Sequence, residues 1–384
     1  MTERRNTMNG GISVPRGLAG VAVTNTEIGD VRGDEGYYHY RGQDAVELAR
    51  TRSFEEVWHL LAIGHLPASR EAESFRDRVA PLRSLPAPVV DVLPAICAAT
   101  EDPLHVLRTA LSLWGSTMGL RPMYDAPESE RLDGALAAVA VTPTILAAAH
   151  RLQRGLTPIE PDPQLGLAED YLRMVTGRVP EPRDARAVET YLVSTMDHGF
   201  NASTFTARVV ASTGADLAAC VVAALGAFSG PRHGGAPGRA LEALDEIGSV
   251  DHAEGYVRGH VLRDERIMGF GHAVYRTRDP RSEMLRGIAQ GYDHPLVDLA
   301  VQVEEIFERT LAELKPGREL HANVEFYAGV VMKMAGLDPA MFTPTFCVAR
   351  MVGWTANIME QGRDTKIIRP SARYVGPIPA PAAT

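Results

Sequence analysis

Beyond about residue 42, apolar side chains recur with the period of an α-helix along almost the whole chain, and this limits the fold to a body built mainly of packed helices. Phe54, Val57, Trp58 and Leu61 share one helical face, as do Leu104, Leu107, Leu111 and Trp114. Val303, Ile306, Phe307, Leu311 and Leu314 continue the pattern. The stretch Ala207 to Phe228 is apolar nearly all round, which predicts a helix enclosed by others. The longest apolar run, Ala135 to Ala149, contains Pro143 and is too short and interrupted to predict a bilayer span. Only residues 17–42 read differently. There, Val21 and Val23 before Gly33-Asp34, and Tyr38 and Tyr40 after, predict a short β ribbon. Prolines at 67, 81, 86, 158, 161 and 180 punctuate the connections, and the Pro/Ala-rich tail from Gly376 reads as extended.

With 384 residues the chain can bury a sizeable core in two lobes. Its 39 Lys+Arg against 48 Asp+Glu argue against a general nucleic-acid surface. Lys315, Lys333 and Lys366 are the only lysines, so nearly all positive charge is guanidinium, which pairs well with carboxylates and phosphates. Cys97, Cys220 and Cys347 are far apart and in no metal-like spacing. The N-terminal residues lack an apolar core of the signal-peptide kind. The expectation is a cytoplasmic protein with no membrane or nucleic-acid partner, no metal and no resident cofactor.

Four segments concentrate polar functional groups beside glycine: 197–204 with His198 and Asn201, 230–236 with His233, 269–281 with His272, Arg276 and Arg281, and 323–327 with Glu325. Singly, each has a plain structural explanation, such as a turn, a helix start or a first-turn carboxylate. Together they describe something narrower. Glycine lets backbone approach a ligand, and histidine changes protonation near neutral pH. There is no H-E-x-x-H, C-x-x-C or G-x-S-x-G pattern, and Gly269-Phe270-Gly271 lacks the third glycine of a dinucleotide fingerprint. General acid–base chemistry on an anionic substrate is what these residues leave open.

The order and wording of the segments resemble the citrate synthase family from Gly17 to about Gly376. The resemblance rests on Gly17-Leu18-Ala19-Gly20-Val21, Tyr40-Arg41-Gly42, Ser53-Phe54-Glu55-Glu56-Val57, and Gly230-Pro231-x-His233-Gly234-Gly235-Ala236. Gly271-His272 with Asp279-Pro280-Arg281, Val348-Ala349-Arg350 and Arg369-Pro370 complete it. It implies a mainly α, two-domain helical fold, with residues 1–236 and 331–384 as a large domain and 237–330 as a small one closing over the site. It implies condensation of acetyl-CoA with oxaloacetate, the CoA thioester being substrate rather than cofactor. Glu325 would be the base, His233 the donor to the thioester oxygen, and His272 the group that polarises and protonates the keto oxygen. His198, Asn201, Arg281, Arg350 and Arg369 would hold the 2-oxo acid, with Arg369 supplied across a homodimer. Arg276 and Arg318 would meet CoA phosphates. Propionyl-CoA (2-methylcitrate synthesis), another 2-oxo acid in specialised metabolism, or a non-catalytic paralogue are the alternatives. One departure stands out: the family's base is usually aspartate, and Glu325 adds a methylene that moves the carboxylate by up to about 1.5 Å. Thr195 also stands where the family often has histidine.

Overall fold

The computed structural model of the chain describes residues 14–231, 233–234, 236–272, 274–317 and 319–377. Among these residues are sixteen α-helices and one small sheet, so the mainly α expectation holds. The sheet is an antiparallel ribbon in the order β1 (Gly29–Arg32), β2 (Tyr37–Tyr40), β3 (Gln43–Asp44). Its register pairs Gly29 with Tyr40 and Arg32 with Tyr37 across a turn at 33–36. Tyr38 and Tyr40 alternate inward as the pattern predicts, and their hydroxyls donate to the Ser194 and Val193 carbonyls at 2.8 and 3.0 Å. The first strand differs from expectation. Val21 and Val23 lie outside any strand, and Val21 is exposed, because the β2 tyrosines pair with 29–32 instead.

The helical faces read from periodicity are the buried ones. Phe54, Val57, Trp58 and Leu61 are buried on Phe54–Ile63, whose start carries a Ser53/Glu56 capping box and whose end carries Gly64 in the left-handed region. Such a cap contributes about 1 kcal/mol and fixes where the helix begins. The helix Glu128–Gln153 runs through the centre, buried from Gly134 to His150. By length and composition alone it could cross a membrane, but 89% of its most apolar window is buried within the protein, as befits a core helix. Phe342–Gln361 packs along it and is buried over nearly its whole length. Beside them, Arg83 pairs with Glu55 at 3.1 Å and lies 3.8 Å from Asp170, all three almost fully buried.

The stretch 207–228 is not one enclosed helix. Ala202–Ala211 ends at a turn in which Gly214 has φ of 79°, and a second helix, Leu217–Phe228, starts behind the Asp216 cap. Ala219 and Gly226 on that second helix are exposed. An apolar run reports the sum of core and surface contacts and is blind to a turn made by small residues within it.

Candidate active site

Seven of the residues singled out from the sequence, His198, Asn201, His233, His272, Arg281, Glu325 and Arg350, line one cavity of about 600 Å³. Four helices begin at its wall: Ala202–Ala211, Ala236–Ile247, Pro280–Ala289 and Val324–Met334. Helix N-termini present unpaired N–H groups and partial positive charge, so the cavity suits an anion before any side chain is counted.

Glu325 is placed by the N-cap before it. Asn323 accepts the Glu325 N–H at 3.0 Å and donates through Nδ2 to the Gly271 carbonyl at 2.9 Å. The Asn323 N–H reaches the Gly269 carbonyl, and the Gly271 N–H reaches that of His321, both at 2.8 Å. The histidine loop and the carboxylate helix are thereby zipped together. Gly269 makes the close approach possible: its φ is +87°, and a Cβ there would lie 2.8 Å from the Phe326 ring. Burial pushes the Glu325 carboxyl up to about 7 despite the opposing charge of Arg281.

Asp279 serves two helices at once. It caps the Arg281 N–H at 3.0 Å and accepts the Val324 N–H at 3.1 Å. It also holds the Arg281 guanidinium through Nε at 3.0 Å and Nη2 at 2.8 Å. Burial alone would raise Asp279, but the Arg281 charge overcomes it and the carboxyl stays below its usual range. Arg350 is held differently. Its Nε donates to the Thr195 carbonyl at 2.8 Å and it lies over the Phe346 ring at 4.6 Å, while its buried Nη1 has no hydrogen-bond partner among the described residues. A buried guanidinium nitrogen without an acceptor costs free energy that an anionic ligand would return. Asp197, buried nearby, is raised to about 6 by burial, against the pull of Arg350.

The histidines are neutral. Burial, then the charge of Arg281, lowers His272 to about 4, and burial, then Arg350, lowers His233 to about 4. His272 Nδ1 accepts the N–H groups of Val274 and Tyr275 at 3.0 and 3.1 Å, two closer donors against the one that Arg281 Nη2 presents to Nε2 at 3.3 Å, so the ring proton is on Nε2. His233 stands just before the helix Ala236–Ile247, its Nε2 2.8 Å from Ser203 Oγ. Ser203 Oγ accepts from Trp354 Nε1 at 3.0 Å and donates to Asn201 Oδ1 at 2.8 Å. The Ser203 N–H donates to His233 Nε2 at 3.4 Å, which places the ring proton of His233 on Nδ1.

Not every expected residue is seen to line the cavity. Arg369 and Arg276 are exposed and do not line the cavity, and Arg318 falls outside the described residues. Ser203, Trp354 and Tyr275 were not foreseen as part of the site. Ser203 and Tyr275 sat inside the glycine-flanked segments, whereas nothing in the sequence points to Trp354. A second cavity of about 290 Å³ adjoins the first, sharing Arg266, Phe270 and His272 and continuing between Phe307, Leu311 and Leu320. Among the described residues no cluster of His, Cys, Asp or Glu could hold a metal ion. A carboxylate of raised pKa, neutral imidazole donors and an unpaired guanidinium can together remove a proton beside a carbonyl, stabilise the resulting oxyanion and hold an acid.

Against known proteins, residues 17–371 match the family model described as citrate synthase, C-terminal domain. The chain is 34% identical to citrate synthase 2 of Bacillus subtilis over 95% of its own length and 97% of that protein's. Among solved structures, citrate synthase from Thermotoga maritima superposes with a TM-score of 0.84 at 34% identity, covering 97% of this chain and 98% of that one. The ternary complex of Thermoplasma acidophilum citrate synthase with carboxymethyl coenzyme A and oxaloacetate gives a TM-score of 0.87 at 25% identity, covering 97% of this chain and 98% of that one.

Proposed function

Because this chain belongs to the citrate synthase family, we propose that its central cavity condenses acetyl-CoA with oxaloacetate and hydrolyses the product thioester, releasing citrate and CoA. The observation that carries the reading is one cavity that unites Glu325, His233 and His272 with an Arg350 whose Nη1 lacks a partner among the described residues.

Oxaloacetate brings two carboxylates. Arg350 offers its unpaired Nη1 to one, and Arg281, already bound to Asp279, contributes charge beside the keto group. His198 and Asn201 complete that end. The ionised Glu325 takes a methyl proton from the thioester, and a neutral His233 donates a hydrogen bond to the oxygen that becomes an enolate. The enolate carbon attacks the keto carbon. His272 Nε2–H then gives its proton to the new alkoxide, and Arg281 at 3.3 Å offsets the charge left on the ring. Water cleaves the citryl thioester, and CoA leaves as the thiol. The adjoining cavity, lined by Arg266 together with Phe307, Leu311 and Leu320, supports a path for the CoA chain away from Glu325.

Two further elements belong to this reading. Residues 237–330 act as a small domain that closes on the large one and keeps water from the enolate. The protein works as a homodimer, in which the partner subunit's Arg369 completes the carboxylate clamp. Support comes from the exposed position of Arg369 in a single chain. Three free cysteines fit a reducing, cytoplasmic location.

The test follows thiol release from acetyl-CoA and propionyl-CoA in parallel with oxaloacetate present. Acetyl-CoA should give the higher kcat/KM, the propionyl methylene costing about 1–3 kcal/mol in the acyl pocket. Silence with both thioesters, from protein that binds oxaloacetate, would overturn the reading.

A further inference from the structure

The loop that carries His272 also carries Tyr275, a residue to which the chemistry above assigns nothing. Tyr275 is 4% exposed, and its hydroxyl lies 3.0 Å from His198 Nε2. Its ring is 5.5 Å from the His198 ring and 4.8 Å from the His272 ring, with the Arg281 guanidinium 5.7 Å away. The loop itself is held by the β ribbon, since the Arg276 N–H donates to the Gly33 carbonyl at 3.1 Å. Only glycine fits at position 33: a Cβ there would lie 2.1 Å from the Val274 carbonyl oxygen.

We propose that Tyr275 is a positioning residue that sets the ring protons of both histidines facing the 2-oxo acid. Its hydroxyl donates to His198 Nε2 and so keeps the His198 proton on Nδ1. Its backbone N–H, together with that of Val274, keeps His272 Nδ1 unprotonated and so keeps that proton on Nε2.

Donors and acceptors around His198 balance in one arrangement. Burial pushes the Tyr275 phenol up, so the hydroxyl keeps its proton. Burial, then the charges of Arg281 and Arg350, lowers His198 well below its ordinary range, so the ring is neutral and has one proton to place. With that proton on Nε2, two donors would face each other unless the phenol proton found another acceptor, and among the described residues the hydroxyl has no other hydrogen bond. With it on Nδ1, the phenol is satisfied and His198 turns a donor, not a lone pair, toward the cavity that it lines. An anionic substrate needs that donor. Tyr275 thus couples two rings whose centres are 5.5 Å apart and makes both of them donors before substrate arrives.

This inference rests on oxaloacetate being the substrate only for its kinetic arm. Tyr275→Phe keeps the ring and the backbone N–H and removes the hydroxyl alone. It should raise the KM for oxaloacetate about 10-fold and leave that for acetyl-CoA unchanged. In a His198→Asn background the same substitution should change the oxaloacetate KM less than about twofold, because the residue acts through His198. An equal effect in both backgrounds would overturn the proposal. Independently of turnover, nitrogen-15 spectra of histidine-labelled, ligand-free protein should show His198 protonated on Nδ1 in the wild type and shifted toward Nε2 in Tyr275→Phe, with His272 unchanged. A wild-type His198 protonated on Nε2 would also overturn it. That spectrum decides the tautomers even if neither thioester is turned over, so failure of the condensation reading and failure of this one are separable.

Discussion

Replacing Glu325 by glutamine separates its chemical role from the cost of burying it. The side chain keeps its shape and loses the charge. Burial raises the carboxyl from 4.5 to about 7, so the native protein retains a proton that the unfolded chain has already lost between those values. With more protons bound to the native state, stability falls as pH rises through this window, and the full penalty is present above it. At 1.36 kcal/mol per pKa unit, the penalty is about 3 kcal/mol near pH 8.5 and about 1 kcal/mol near pH 5.5. Glu325→Gln should therefore be more stable than wild type by about those amounts, read from urea midpoints at the two pH values. It should also lose about 10²- to 10⁴-fold in kcat, the usual worth of a general base, and stop exchanging the methyl deuterons of labelled acetyl-CoA. The wild-type kcat/KM should rise with pH and level off above about 7, as the carboxylate ionises. Turnover above about a tenth of wild type would remove Glu325 as the base. A stability gain equal at both pH values would refute the electrostatic account of its burial.

Ser203→Ala removes the partner of His233 Nε2, Trp354 Nε1 and Asn201 Oδ1, and should lower kcat about 10-fold. A change in KM alone would put Ser203 outside the enolisation step. Arg350→Gln should abolish the thermal stabilisation that oxaloacetate gives the wild type, worth about 2.7 kcal/mol at a hundred times Kd. A retained shift would place the anion elsewhere. Arg83→Met leaves Glu55 buried without its cation, while Asp170 keeps Arg173 at 2.7 Å, and should cost about 3–5 kcal/mol in a urea melt, whereas an unchanged midpoint would show that the Arg83–Glu55 pair contributes little.

Most of the residues that line the central cavity were legible because short, glycine-bearing segments carry them. The residues that hold them in place were not. Ser203 and Trp354 are 151 positions apart, and the Tyr275 hydroxyl reaches a histidine 77 positions earlier. Asp279 joins the starts of two helices separated by 45 positions, which no local pattern records. Local readings also failed where a turn hid inside an apolar run, as at Gly214, and where Val21 and Val23 imitated a strand whose place is taken by 29–32.

By itself, then, the sequence determined that this protein is a mainly helical body, which helix faces it buries, and which histidines, arginines and carboxylate it holds ready for acid–base chemistry. Periodicity and glycine placement act within a few residues, and they survive in a one-dimensional reading. The tertiary structure alone decided the protonation of those groups. Glu325 is raised and His233 and His272 are lowered because other elements of the fold remove water from around them and bring Arg281 and Arg350 close. Desolvation and Coulomb energy depend on distance in space, and distance along the chain carries no record of it.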